Sequence, residues 1–463
     1  DVQSVGLAHT TTTPGEALYA AQWGLAQIQA QAAWEVVAGT ADVVIAEIGS
    51  GLDTNHPDLA GQLWVNPDEI ADNGLDDDDN GYVDDIHGWN VVDGNTDLSD
   101  NTGHSTMVVG IIAAAKDGEG ITGVCWGCRL MIVKVTQSTG LAYYSDIAEG
   151  VRYAAQNGAD VISISLRGRL DQTTLRSAMA AAAQTAVVVS GAGNDGSHAP
   201  VYPAAYDDHV LAVAATSSDD VRIDESNYGA WVDVSAPGKD ITTTSDGGGY
   251  LSKSGTSLAV PFVSGLAGLL RSQHPDWSPD LVRAQIIHTA DRIDALNSGF
   301  EGQLGSGRIN AGRAVTTVAQ PLLSYEAHKI EGRSDGRPES GSTVELEVTL
   351  YNDWADATNV QATLSTSDRH VTIAAGTTSY GDIMACGCAT NMTPLRFSLS
   401  DSVPHAHPLS LTLEVTADEG YRLSIPLTIP ASPGFSHLHG TRETAARDPG
   451  PVVAADLQAH SIG

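Results

Sequence analysis

The chain has 463 residues, too many for one ordinary core, so its length favours a large domain followed by a smaller one. Hydrophobic residues make up 42%, a globular proportion, and no run of about eighteen apolar residues offers a membrane span. A formal net charge of −34, from 57 acidic and 23 basic residues, excludes a general affinity for nucleic acid or anionic lipid; it suits a well-solvated, salt-tolerant or calcium-binding surface.

Residues 1–30 read as a lead-in, rich in Thr and Pro at first. The opening Asp1-Val-Gln-Ser-Val5 is not a secretion signal, so an exported form would have lost its leader and any pro-segment. An apolar-periodic helix is predicted over 28–37. From there short apolar runs of strand length (43–48, 130–135, 161–166, 186–190 and 210–215) alternate with helix-length stretches (145–158, 172–183 and 260–273). Such alternation predicts an α/β domain over 31–318, with a parallel sheet covered by helices on both faces.

The alternation stops near Gly307-Arg-Ile-Asn-Ala-Gly-Arg-Ala-Val315, and beyond Pro321 the texture changes. Segments 342–351, 359–365, 370–374, 395–399, 409–416 and 421–429 are short and rich in Val, Thr and Leu, with Asn-Asp, Gly or Pro turns between them. They predict a small antiparallel β-sandwich over 322–432. Residues 433–463 have no periodicity and read as a linker or tail.

The four cysteines fall in two close pairs, Cys125-Trp-Gly-Cys128 and Cys386-Gly-Cys388. A CxxC serves redox chemistry or half a zinc site, but Cys-Gly-Cys is the wrong spacing for the other half. Two local disulfides in an oxidising compartment are expected instead. A further cluster, Asp76-Asp-Asp-Asp-Asn-Gly-Tyr-Val-Asp-Asp85, sets oxygen donors at Asp76, Asp78, Asn80, the Tyr82 carbonyl and Asp84 or Asp85, with Gly81 for the sharp turn. This is the first half of an EF-hand-type loop, and it predicts a structural calcium.

Three stretches carry the chemistry: Val44-Ile-Ala-Glu-Ile-Gly-Ser-Gly-Leu-Asp-Thr-Asn-His-Pro-Asp-Leu59, Gly103-His-Ser-Thr-Met-Val-Val-Gly110 and Gly255-Thr-Ser-Leu-Ala-Val-Pro-Phe-Val-Ser-Gly265. Their order and wording resemble the subtilisin family of serine peptidases, whose segments supply Asp, His and Ser in that order. The resemblance covers about 20–316 and implies the family's doubly covered parallel sheet. It makes Ser257 the nucleophile at a helix start, where the dipole favours an oxyanion, and His104 the proton shuttle. Asn194, in Val187-Val-Val-Ser-Gly-Ala-Gly-Asn-Asp-Gly196, matches the family's oxyanion donor. Ser165-Leu166-Arg167-Gly168 matches the edge strand of its substrate groove, and relatives often carry an acidic insert like that at 76–85.

Departures cluster at this same site. Gly49 stands where the family has its acid, and Gly49 can neither orient an imidazole nor stabilise its charged form. Ser105 and Met107 replace a Gly and a His after His104, Arg167 replaces a groove glycine, and Phe262 replaces a His. Glu47 leaves the same strand face two residues earlier, about 6.5 Å back along the chain. Two outcomes are open for it: a pairing with His104, or a neutral, water-bonded or edge-turned carboxyl.

The leading expectation is therefore a secreted subtilisin-like protein whose peptide-bond hydrolysis is weak or lost, acting through binding of a peptide or protein ligand. Alternatives are an active endopeptidase in which Glu47 or water supports His104, and a structural subunit of an extracellular assembly with further domains or partners.

Overall fold

The computed structural model describes residues 15–206, 209–332, 336–404 and 406–432. The tail expected at 433–463 lies outside them, as do residues 1–14.

Seven strands make the parallel sheet: β1 Val44–Gly49, β2 Gly88–Asn90, β3 Arg129–Lys134, β4 Val161–Ile164, β5 Val187–Gly191, β6 Leu211–Thr216 and β7 Val234–Pro237. Their order is β2-β3-β1-β4-β5-β6-β7, and every pairing is parallel. β1 is wholly buried, as expected for a strand covered on both faces. Its side chains alternate: Ile45 faces one apolar cluster, Ala46 and Ile48 the other.

The helices are α1 Trp23–Gln27, α2 Ala30–Trp34, α3 His104–Ala113, α4 Tyr144–Gln156, α5 Thr173–Ala182, α6 Thr256–Gln273, α7 Pro279–His288 and α8 Ala311–Thr316. α3 and α6 cover the Ile45 face, whereas α4 and α5 cover the other. A hairpin of β8 Ile241–Ser245 and β9 Gly249–Lys253 lies over α3. The lead-in is part of this domain, because Leu25 and Ile28 are buried in the α3–α6 core.

The chain builds β2 and β3 on one side of β1 and then β4 on the other, so the strand order reverses at β1. In an open α/β sheet this reversal opens a crevice at the carboxyl ends of the strands, where ligands bind. Gly49 is the last residue of β1 and stands at that edge.

Nine further strands follow: β10 Leu323–Ile330, β11 Thr343–Asn352, β12 Ala357–Thr366, β13 Val371–Ala375, β14 Thr377–Ile383, β15 Gly387–Thr390, β16 Leu395–Leu399, β17 Pro408–Thr416 and β18 Arg422–Pro430. They form two antiparallel sheets, one ordered β10-β11-β16-β13 with β15 also on β11, the other β14-β12-β17-β18. The inner faces share one apolar core, and β11 shows the strict alternation of burial this requires. Trp354 Nε1 donates to Gln285 Oε1 at 2.9 Å, tying the sandwich to α7.

Candidate active site

The starts of α3 and α6 meet at the carboxyl edge of the sheet. Gly49, at the end of β1, touches Ser105, and Gly191, at the end of β5, approaches Thr256. Further along, a Cβ on Gly265 would lie 3.3 Å from the Ile112 carbonyl oxygen. Gly265 and Ile112 each stand eight residues beyond Ser257 and His104, so the helices run side by side and in step. The two expected reacting residues are therefore level, each in the first turn of its helix.

The nucleophile segment is shaped by Pro261. Proline has no N–H to offer the carbonyl four residues back, which is that of Ser257. Ser165 Oγ donates to that freed oxygen at 3.3 Å, joining the expected groove segment to the helix start. Asn194 Oδ1 accepts the Thr256 amide at 2.8 Å and the Thr256 hydroxyl at 3.0 Å. Its Nδ2 is left without a partner among the described residues, and the Ser257 amide is one of the open donors of a helix's first turn. Both are free to take a developing oxyanion.

His104 begins α3, and Asp100 caps that helix: its carboxylate accepts the amides of Thr102, Gly103 and Thr106 and the Thr106 hydroxyl. Burial alone would raise the Asp100 carboxyl, but the hydrogen bonds from Thr106, Thr102 and Ser50 outweigh it and hold the group below the usual carboxylate range. Burial also presses the His104 ring below its ordinary value, with the Asp100 charge opposing it. Neither ring nitrogen of His104 has a hydrogen-bond partner among the described residues. No hydrogen bond among them selects its tautomer.

The acid's place is filled. A Cβ added to Gly49 would overlap Ser105 Oγ and come within 2.9 Å of Glu47 Oε1. Ser105 Oγ accepts the Ser50 amide at 2.7 Å and donates to Glu47 Oε1 at 3.3 Å, while the Ser105 amide donates to Ser50 Oγ at 3.0 Å. Glu47 does leave from the α3 face of β1, as its parity requires, but among the described residues it makes no bond to His104. Ser105 stands in its path and takes its oxygen. The other oxygen, Oε2, is buried without a partner among the described residues. Burial drives the Glu47 carboxyl well above its ordinary value, and the nearby hydroxyls of Ser163 and Ser105 offset only part of this. Burial among the sheet's side chains thus favours the protonated form of Glu47.

The expected groove strand is shorter than its sequence run, since β4 ends at Ile164 and 165–168 continue without strand pairing except at Gly168; this segment carries the other large departure. Arg167 lies over Gly193 and grips Asp195 with two bonds, of 2.7 and 2.8 Å. Leu166 is half-buried against the α4 face, and Gly168 pairs with Tyr202 in both directions at 2.8 Å.

In the acidic loop, carboxylate oxygens of Glu69, Asp78 and Asp85 lie within 4.8 Å of one another. Asp76 and Asp84 lie outside that cluster and accept loop amides, those of Asn80 and Gly81 and those of Asn73 and Gly74. Within it, Glu69 accepts the amides of Asp77 and Asp84, and the Asp85 carboxylate accepts from Asn66 and Tyr153. Asn80 Oδ1 accepts the Tyr82 amide. Glu69 was not read from the sequence; it precedes the motif, in Asn66-Pro-Asp-Glu69, and only the folding back of the loop brings it in. Three converging carboxylates repel unless a cation or protons intervene, and an all-oxygen set fits calcium.

Of the expected disulfides, one forms, between Cys125 and Cys128. Cys386 and Cys388 are free thiols, which corrects the second pairing. Cys388 is held in β15 opposite Tyr351, while Cys386 precedes the strand at φ 55° and turns its sulfur toward the Asp280 carbonyl of α7.

No helix among the described residues is long and apolar enough to cross a membrane. The sequence profile of the subtilase family, Peptidase_S8, matches residues 40–310. Thermitase of Thermoactinomyces vulgaris is 37% identical over 306 residues, which are 65% of this chain and 99% of thermitase. Subtilisin Savinase of Lederbergia lenta is 33% identical over 291 residues, 62% of this chain and 96% of its own. Among solved structures, a protease of Pseudoalteromonas arctica PAMC 21717 superposes with a TM-score of 0.57 at 26% identity, over 66% of this chain and 99% of that one. With the profile spanning the α/β domain and relatives matched over nearly their whole length, the chain belongs to the subtilase family of serine peptidases.

Proposed function

We propose that this subtilase is an extracellular, calcium-stabilised protein that holds peptide or protein segments in its groove and hydrolyses them slowly or not at all. The observation that carries this reading is the Ser105 hydroxyl in the space beside Gly49. The family's acid is missing there, and its place is closed to any other carboxylate. Loss of that carboxylate in a subtilisin costs about 3 × 10⁴ in kcat. Glu47 offers no substitute, since its bonded oxygen goes to Ser105 and burial disfavours its charged form.

A second reading, a slow endopeptidase, is favoured by the unspent Asn194 Nδ2 and the helix-start position of Ser257. An oxyanion hole and substrate binding alone leave roughly 10³- to 10⁴-fold catalysis over water. An extracellular location is supported by the disulfide between Cys125 and Cys128 and the acidic surface. Calcium would be held by Glu69, Asp78 and Asp85, and its role there would be to neutralise the loop and pin it.

A fluorophosphonate probe and a peptide amide substrate test the reading together. Weak labelling of Ser257 with little turnover is expected for the natural chain. Turnover equal to that of a Gly49→Asp/Ser105→Gly variant would overturn the impaired-enzyme reading.

A further inference from the structure

Arg167 is fixed in place from three sides. Before it, Ser165 Oγ is bonded to the Ser257 carbonyl, and just after it Gly168 is bonded to Tyr202. Its stem crosses Gly193 so closely that a Cβ there would lie 2.8 Å from Arg167 Cδ, and Gly193 has φ 95°, so both space and backbone demand glycine. Its guanidinium ends on Asp195, whose amide is in turn held by Asn227 Oδ1 at 3.0 Å. Asn194, the expected oxyanion donor, lies between Gly193 and Asp195. The arginine therefore lines the expected groove between segment 165–168, which follows β4, and segment 193–195, which follows β5; Ser165 of the first segment bonds the Ser257 carbonyl.

Its charge is not spent there. Two of the five guanidinium N–H donors go to Asp195, and the other three have no partner among the described residues. Arg169 reaches the same carboxylate at 3.5 Å with its side chain 76% exposed, so two cations share one anion. The Arg167 side chain itself is 33% exposed, open enough for a ligand to touch. A large apolar side chain entering here would meet the arginine stem and cover a charge without pairing it. A carboxylate would meet free donors in fork geometry.

We infer that Arg167 is a specificity-determining residue, and that the groove takes an acidic ligand side chain next to Ser257 while rejecting large apolar ones. This rests on the peptide-groove reading above and names the ligand class for it.

Three peptidyl boronic acids, identical except for a terminal aspartate-, alanine- or phenylalanine-like residue, test it by calorimetric binding to the full chain at low salt. The acidic ligand should bind about tenfold tighter than the phenylalanine one, a typical yield for a charge-assisted pair. Arg167→Met, which keeps the stem and removes the charge, should abolish the acidic preference but still disfavour phenylalanine. Arg167→Gly should turn the preference toward phenylalanine. Asp195→Asn should strengthen the acidic preference. Equal or tighter binding of the phenylalanine ligand to the natural chain would overturn the inference alone. Absence of binding by all three would overturn the peptide-groove reading and the inference with it.

Discussion

Ser105 and Gly49 share one space: the hydroxyl of one occupies the room that a side chain on the other would need. They are 56 positions apart in the chain but in contact at the edge of the sheet. Each departure accounts for the other, since a glycine at 105 would leave a hole beside Gly49, and an aspartate at 49 would strike Ser105.

It follows that the acid cannot be restored alone. Gly49→Asp should misfold locally or leave turnover near its starting level, because its Cβ overlaps Ser105 Oγ. Gly49→Asp with Ser105→Gly should raise kcat by up to about 10⁴-fold, the scale of that carboxylate's effect in a subtilisin. Steady-state hydrolysis of a peptide anilide by the three proteins measures this. A double variant no faster than the single one would count against a missing acid as the cause of slow turnover.

The chain of contacts behind this was only half legible in the sequence. The apolar runs and the three motifs pointed to five of the seven sheet strands and most of the covering helices, but β2 and β7, three and four residues long, left no run to read. Strand parity gave the face of Glu47, yet its partner depended on Ser105, whose contact with β1 is set by how α3 docks. α7 was missed although Ser278-Pro279 is a helix start, and Ser278 does cap it by accepting the Leu281 amide at 3.2 Å. β10 was missed because only its end residues, Leu323 and Ile330, are buried; in β14 Gly381 breaks the pattern, and β15 is only four residues long. Glu69 carries no local signal at all.

Glu47 makes the stability of this protein fall with rising pH. Its folded value is raised by burial, so the stabilisation is fully present below the unfolded value of about 4.3. It is lost as pH climbs through the raised folded value. Glu47→Gln keeps an acceptor for Ser105 and cannot ionise. The variant should therefore gain in Tm over the natural chain with rising pH, and its turnover should be unchanged, since Glu47 does not touch His104. Thermal melts at several pH values check the first point. A large loss of turnover would reinstate Glu47 as the support of His104.

The calcium proposal predicts that chelation destabilises the α/β domain. A cation present at about 100 times its Kd adds about 2.7 kcal/mol, which at roughly 2–4 °C per kcal/mol is about 5–10 °C in Tm. Glu69→Gln and Asp78→Asn should each shrink that shift, while Asp84→Asn should spare it, because Asp84 lies outside the converging cluster of Glu69, Asp78 and Asp85. Melts with and without chelator give the answer. Equal melts would mean that the loop is held by its own hydrogen bonds.

The junction between the two domains should respond to pH in its own way. His288 of α7 meets Asp353 twice, its Nε2 lying 3.0 Å from the backbone oxygen and 3.2 Å from the carboxylate, and its ring lies 5.0 Å from that of Trp354. The Asp353 side chain raises the imidazole above its ordinary value, against an opposing effect of burial. A raised histidine contributes its stabilisation fully below about 6.5 and loses it as pH passes through the raised value. Docking of the sandwich on α7 should therefore weaken as pH rises above the ordinary imidazole value. Asp353→Asn should remove most of this dependence, because the backbone oxygen remains but the charge does not. Limited proteolysis of the linker at 317–322 follows the docking directly: cleavage should quicken with pH in the natural chain and stay flat in the variant. Cleavage that is independent of pH in both would show that Trp354 and Gln285 alone hold the junction.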